Sequence, residues 1–285
     1  RTSIPASMGL WVQPYANLGE AKGHGVDLSL DYNKYFANKS WLQLRGNFTY
    51  ATSEYMVYED YEYPGAWWKQ KVGYPTNQTW GYIAEGLFVD DNEVANSPVQ
   101  FGEYGAGDIK YRDVNKDGKI TDLDQVPIGY PKEPEIVYGF GPSIRWKNLD
   151  FSFFFQGVAK VSLVMSDFHP FGDNSLRNVL TWIADDRWSP DNQNINATYP
   201  RLTRDTSVNN TQRSDYWLRN AAFIKLKNAE IGYTYKNMRF YVSGMNLATF
   251  SPFKHWDPEQ GGGNGLKYPT QRVFNFGFQM TINNN

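Results

Sequence analysis

The sequence predicts an all-β chain of antiparallel strands, a transmembrane β-barrel architecture with long extracellular loops. Three observations predict it. Apolar and polar residues alternate at period two through several segments, and the connections between those segments are alternately very short and very long. In addition, 17% of the residues are aromatic although the mean hydropathy is hydrophilic. A barrel strand reconciles these, because lipid-facing apolar residues alternate with lumen-facing polar ones and aromatic girdles mark both interfaces.

The first strand lies in GVDLSLDYNKY, where Val26, Leu28, Leu30 and Tyr32 oppose Asp27, Ser29, Asp31 and Asn33. After ANKS, Leu42, Leu44, Phe48 and Tyr50 alternate with Gln43, Arg45, Asn47 and Thr49. EIVYGFGPSIRW and LDFSFFFQG form a hairpin around Lys147-Asn148. Tyr138, Phe140, Ile144 and Trp146 share one face with Leu149, Phe151, Phe153 and Phe155, and Ser143, Arg145, Asp150, Ser152 and Gln156 take the other. AFIKLKNAEIGYTY and MRFYVSGMNL turn at Lys236-Asn237. The apolar phase slips between Leu226 and Ala229, which predicts a β-bulge. RVFNFGFQMTI, with Phe274, Phe276, Phe278, Met280 and Ile282 on one face, makes the seventh strand.

The connections at 36–39, 147–148 and 236–237 are tight, whereas those at roughly 53–134, 158–220 and 249–270 are far longer than a compact domain favours. A barrel expects short periplasmic turns and long outer loops. Residues 174–188 predict a short helix inside the second long connection. A soluble β-sandwich, read as a secreted glycan-binding module with a calcium-stapled loop, explains the alternation. It does not explain the asymmetry of the loops or the phenylalanine-paved faces.

The formal net charge of −2 offers no basic stripe for nucleic acid, and the absence of cysteine removes disulfides and thiol chemistry. No apolar run approaches the ~18 residues of a transmembrane helix. The opening RTSIPASMGLW lacks the pattern of a signal peptide.

DVNKDGKITDLD follows the twelve-residue EF-hand pattern, with oxygen ligands at positions 1, 3, 5, 7, 9 and 12 and glycine at 6. Those positions are Asp113, Asn115, Asp117, the Lys119 carbonyl, Thr121 and Asp124, with Gly118 at the turn. A hard cation, Ca2+ or Mg2+, suits this all-oxygen set. Asp124 is shorter than the usual glutamate, and Pro127 prevents a long exiting helix, so the loop reads as a staple for a long connection and not as a switch.

No enzyme is expected. His24, His169 and His255 are scattered without metal spacing, and neither a GxSxG elbow nor a Walker loop is present. Acidic pairs such as Asp185-Asp186 lack the cleft that a glycosidase needs. Trp67, Trp68, Trp80, Trp182, Trp188, Trp217 and Trp256 fall in the long connections, where rings either stack on sugars or pack the loops; packing is the commoner role. GGGNG (261–265) reads as a loop tip.

Several segments together resemble SusC-like TonB-dependent transporters of Bacteroidetes-type bacteria. They are NLGEAKGHGVDLSLDY (17–32), GDIKYRDVNKDGKITDLDQVPIGYPKEPEIVYGFG (107–141), RWSPDNQNINATYPRL (187–202) and SDYWLRNAAFIKLKNAEIGYTY (214–235), then YVSGMNLATF with DPE (241–250, 257–259). The resemblance implies that residues 1–285 are the C-terminal portion of a twenty-two-stranded outer-membrane barrel, without the plug domain. It implies import of oligosaccharides or peptides with TonB-derived energy beneath a SusD-like lid lipoprotein. Expected partners are that lipoprotein, TonB through a missing N-terminal part, the rest of the transporter chain and outer-membrane lipid. The ending of Ile282 and three asparagines departs from the family's usual aromatic terminus.

Overall fold

A computed structural model describes residues 6–9, 11, 17–165 and 179–282. Along the chain the strands are β1 (Glu20–Tyr35), β2 (Trp41–Val57), β3 (Trp80–Gly81), β4 (Ala84–Leu87), β5 (Ile109–Tyr111), β6 (Val126–Pro127) and β7 (Ile136–Trp146). They continue with β8 (Leu149–Ala159), β9 (Ser162–Val164), β10 (Leu218–Asn220), β11 (Phe223–Tyr235), β12 (Met238–Phe250) and β13 (Val273–Met280). The long strands form one seven-stranded sheet in the order β1-β2-β7-β8-β11-β12-β13, antiparallel from β2 to β13.

Register puts like faces together across the sheet. Phe48 opposes Tyr138, Phe140 opposes Phe155, Ile144 opposes Phe151, Ile231 opposes both Phe151 and Val242, and Val242 opposes Phe276. Rings meet across strands, with Phe140 and Phe155 centroids 5.6 Å apart and Phe240 and Phe278 5.1 Å apart. This apolar face is uncovered: Phe274 is 62% exposed and Phe276 84%. Arg45, Asp150, Gln156, Glu230 and Arg239 fall on the other face.

The expected bulge is present. Both neighbours of β11 shift register between Leu226 and Asn228. Skipping Lys227 lets Leu226 oppose Phe155 and Ala229 oppose Phe153, so the strand keeps its apolar side despite the phase slip.

The two-residue turns place Lys147 and Lys236 at φ 57° and 55°. Each lysine ammonium lies over the preceding ring, Trp146 or Tyr235, at 5.4 Å. Gly141 is required for a different reason, since a Cβ there would run into the Phe153 carbonyl.

The long connections run over 58–135, 160–222 and 251–272, a few residues from the expected limits. Two compact units result. One, with residues 53–130 and 164–219, is a folded mass made from the first two connections. It has its own core of Tyr82, Phe88, Ile109, Tyr111, Ile183, Tyr199 and Trp217. The other, with residues 23–52, 131–163 and 220–285, holds most of the sheet and the third connection. Of the helix expected over 174–188, the described part is a short helix at Thr181–Asp185; residues 166–178, including His169, lie outside the described residues. No side chain caps its N-terminus, and Arg187 bridges to Tyr199, which ends the turn.

If the apolar face meets lipid, Phe153→Arg near the midplane should cost about 2–4 kcal/mol in bilayer unfolding titrations, whereas Ser152→Arg on the polar face should cost far less. Equal costs would overturn the assignment of faces.

Candidate functional site

The predicted cation loop lies in the loop unit and curls around its own amides. Asp113 accepts from Lys116 N at 2.6 Å and Gly118 N at 2.7 Å. Asn115 Oδ1 accepts from Asp117 N at 3.0 Å, and Asp117 Oδ1 from Lys119 N at 3.0 Å. Gly118 has φ 87°, which makes this turn possible. Asp124 is fully buried and accepts from Val114 N at 2.8 Å and Thr121 N at 2.7 Å. Thr121 and Asp124 also form a capping box on the short 3-10 helix Asp122–Asp124.

Thus Asp113, Asn115 and Asp117 share one turn, while Thr121 and Asp124 serve a helix start. Among the described residues, no group of three or more His, Asp or Glu converges in metal-holding geometry. The loop is pinned to its surroundings by Val99 N to Gly118 O at 3.0 Å and Ile120 N to Val99 O at 2.7 Å.

The core of the loop unit is held by a buried polar network. Asp108, 0% exposed, accepts from Arg201 Nε and Nη2 at 2.8 Å each, from Asn210 Nδ2 at 2.7 Å and from Gly105 N at 2.8 Å. Asn210 Oδ1 accepts from Ile109 N at 2.9 Å, and Asn209 Nδ2 donates to Ile109 O at 2.7 Å. Two side-chain amides therefore replace a neighbouring strand along β5 and satisfy backbone groups that burial would otherwise orphan.

In the sheet unit the third connection is clamped to β11. Lys225, only 1% exposed, donates to Asp257 Oδ2 at 2.7 Å and Glu259 Oε2 at 2.5 Å, and Lys227 donates to Glu259 Oε1 at 3.0 Å. Burial alone would raise both carboxyls, but the hydrogen bonds from the lysines outweigh it and hold Asp257 and Glu259 below their ordinary values. Nearby strands carry an inner triad, in which Arg239 bonds Asp150 and also Glu230, the latter at 2.5 Å. Asp27 accepts from Thr49 Oγ1 at 3.0 Å.

The tryptophans of the long connections mostly pack. Trp188 and Trp217 are buried, and Trp68 and Trp256 donate to the Leu123 and Gly261 carbonyls at 2.9 Å. Trp67, 71% exposed, is the ring most open to solvent among those seven.

No protein-family model matches the chain. It is 32% identical over 202 residues to the TonB-dependent receptor P26 of Formosa agariphila, which covers 62% of this chain and 20% of the relative. It is 25% identical over 222 residues to the TonB-dependent receptor SusC of Bacteroides thetaiotaomicron, covering 74% and 20%. The structure of the RagAB peptide transporter matches at 22% identity with a TM-score of 0.68, over 98% of this chain and 31% of that one. The chain is thus similar to a segment of SusC-like TonB-dependent transporters.

This SusC-like segment spans about a fifth of the length of the curated relatives it matches. Its sheet matches part of the RagAB barrel; in the opened state of that importer the TM-score is 0.69 over 99% of this chain. The Lys225 clamp escaped sequence reasoning although both of its halves, FIKLKN and DPE, were visible. The available signal was two lysines at the start of an otherwise apolar strand. The Asp108 network had no local signal, since its partners lie about a hundred residues away in sequence.

Lys225→Met should strip Asp257 of its lysine, leave Glu259 to Lys227 alone and cost about 3 kcal/mol, read as faster hydrogen exchange over 251–272. Acid should mimic it. Both carboxyls are lowered in the folded chain, so the clamp's contribution is complete above about pH 4.5 and is lost as pH falls through the folded values. Loss of protection on raising the pH from 5 to 8 would contradict the assignment.

Proposed function

We propose that the protein containing this segment imports nutrients across the outer membrane, driven by energy relayed through TonB. The uncovered apolar face of the seven-stranded sheet carries the reading, because lipid is the medium that accepts such a face. No other sheet among the described residues exceeds two strands, so the second layer that a sandwich needs is missing. β1 and β13 leave two open edges whose backbone groups require partners in a bilayer, and the remaining strands of the transporter supply them. No helix among the described residues is long and apolar enough to cross a membrane, a fact that bears only on helices.

The substrate is an oligosaccharide or a peptide, and a SusD-like surface lipoprotein closes over the loops. RagAB is described as a peptide importer and SusC as a receptor, so the relatives leave both substrate classes open. Passage is gated by binding and requires no covalent chemistry. The Asp113 loop braces the external surface and takes Ca2+ or Mg2+ on Asp113, Asn115, Asp117, the Lys119 carbonyl, Thr121 and Asp124. The all-oxygen donor set and the Gly118 turn support this; the capping role of Asp124 leaves it as the weakest ligand.

Fractionation tests the main reading. The full-length protein should leave the outer membrane only with detergent, and its uptake of labelled oligosaccharide or peptide should stop without TonB. Release by a salt wash would instead favour the secreted glycan-binding module. For the cation, Asp113→Ala with Asp117→Ala should expose the loop to protease and weaken co-purification of the lid lipoprotein. Cleavage that is the same with calcium, magnesium or chelator would leave only a hydrogen-bonded turn.

A further inference from the structure

The loop unit contains a hollow of about 390 Å3 lined by Glu85, Asn196, Thr198, Asp215, Tyr216 and Arg219, among others. Tertiary hydrogen bonds build its frame. Leu87 N donates to Ile195 O at 3.2 Å, Tyr216 OH to Ala197 O at 2.7 Å, and Ala84 N to Asp215 Oδ1 at 2.7 Å. Strand β4, the 194–198 segment and the turn into β10 therefore hold the walls in fixed relation. Its size falls in the range of about 300–1,000 Å3 typical of small-ligand sites.

Arg219 is the chemically unspent group in that wall. Its Nη1 donates to the carbonyls of Tyr216 and Leu218. Among the described residues no carboxylate makes an ion pair with it, and neither Nε nor Nη2 has a hydrogen-bond acceptor. Burial pushes its guanidinium below the ordinary value, against the weaker opposing pull of Tyr216, Tyr199 and Asp215.

The acids of the wall are committed elsewhere. Glu85 pairs with Arg112 at 3.0 Å and with Lys110 at 3.8 Å. Asp215 accepts the Ala84 amide, and its carboxyl is raised by burial. Neither makes an ion pair with Arg219, and both would repel a dianion such as phosphate. The free Nε–Nη2 edge of a guanidinium matches the two oxygens of one planar carboxylate. Asn196 and Thr198 add neutral hydrogen-bonding groups beside it.

We propose that this hollow is a ligand subsite in which Arg219 receives a single carboxylate, carried by a uronic sugar or by an acidic peptide. The inference rests on the import reading, since it names the chemistry of the cargo.

The test uses the full transporter in detergent and calorimetry with two matched pairs of probes. One pair is a disaccharide with one uronic acid and its carboxyl-reduced counterpart. The other is an amidated tetrapeptide with one glutamate and its glutamine counterpart. In one pair the acid should bind about tenfold or more tighter than the neutral partner, which identifies the source of the carboxylate. Arg219→Gln should abolish that preference, so that acid and neutral partner bind alike. Arg219→Lys, which keeps the charge and the fold but loses the fork, should retain only part of it. Absence of preference in both wild-type pairs, or a preference that survives Arg219→Gln, overturns the subsite. Loss of TonB-dependent uptake is a separate readout. If cells import neither probe while the binding preference persists, the import reading fails and the subsite stands.

Discussion

A sheet with one face paved in exposed phenylalanine, leucine and tyrosine needs an apolar medium on that side. The rest of the architecture depends on this requirement. In lipid no water satisfies backbone groups, so every strand must be hydrogen-bonded along both edges and every side chain must keep its side. Register therefore matters more than any single contact. A slip of one residue in β8 would turn Phe151, Phe153 and Phe155 inward and Ser152 outward. The Lys227 bulge is the device that lets β11 obey the rule although its sequence breaks strict alternation.

The connections answer the opposite problem. Long backbone segments with few regular strands must satisfy their own polar groups, and the loop unit does so with side chains. Asp108 gathers a guanidinium, an amide and a backbone N–H, while Asn209 and Asn210 stand in for a missing strand beside Ile109. Such a network is demanding because every buried member needs its partners. It also explains how connections of this length behave as folded structure. The third connection uses a different solution, a dry lysine on the sheet held by two carboxylates. Arg219 stands apart: it donates to two backbone carbonyls, but no carboxylate among the described residues pairs with it.

Much of this was legible from residue patterns. The seven strands, their two faces, the tight turns at 147–148 and 236–237 and the bulge after Leu226 all follow from period-two alternation and its one break. The oxygen-rich turn of 113–118 was legible too, because EF-hand spacing is local. The capping role of Asp124 was not, since a capping box and a ligating carboxylate have the same sequence appearance. Of the helix expected over 174–188, the described residues form only the turn Thr181–Asp185, which buries Ile183.

By itself the amino-acid sequence determined the strand faces, the loop lengths and the turn chemistry, because each depends on residues within a few positions of one another. Only the tertiary structure decided which charges are spent. Asp108 meets Arg201 and Lys225 meets Asp257 across gaps of 93 and 32 residues. No local pattern encodes such pairings. They exist because burial makes an unpaired polar group costly, and the fold determines which partner is close enough to satisfy it.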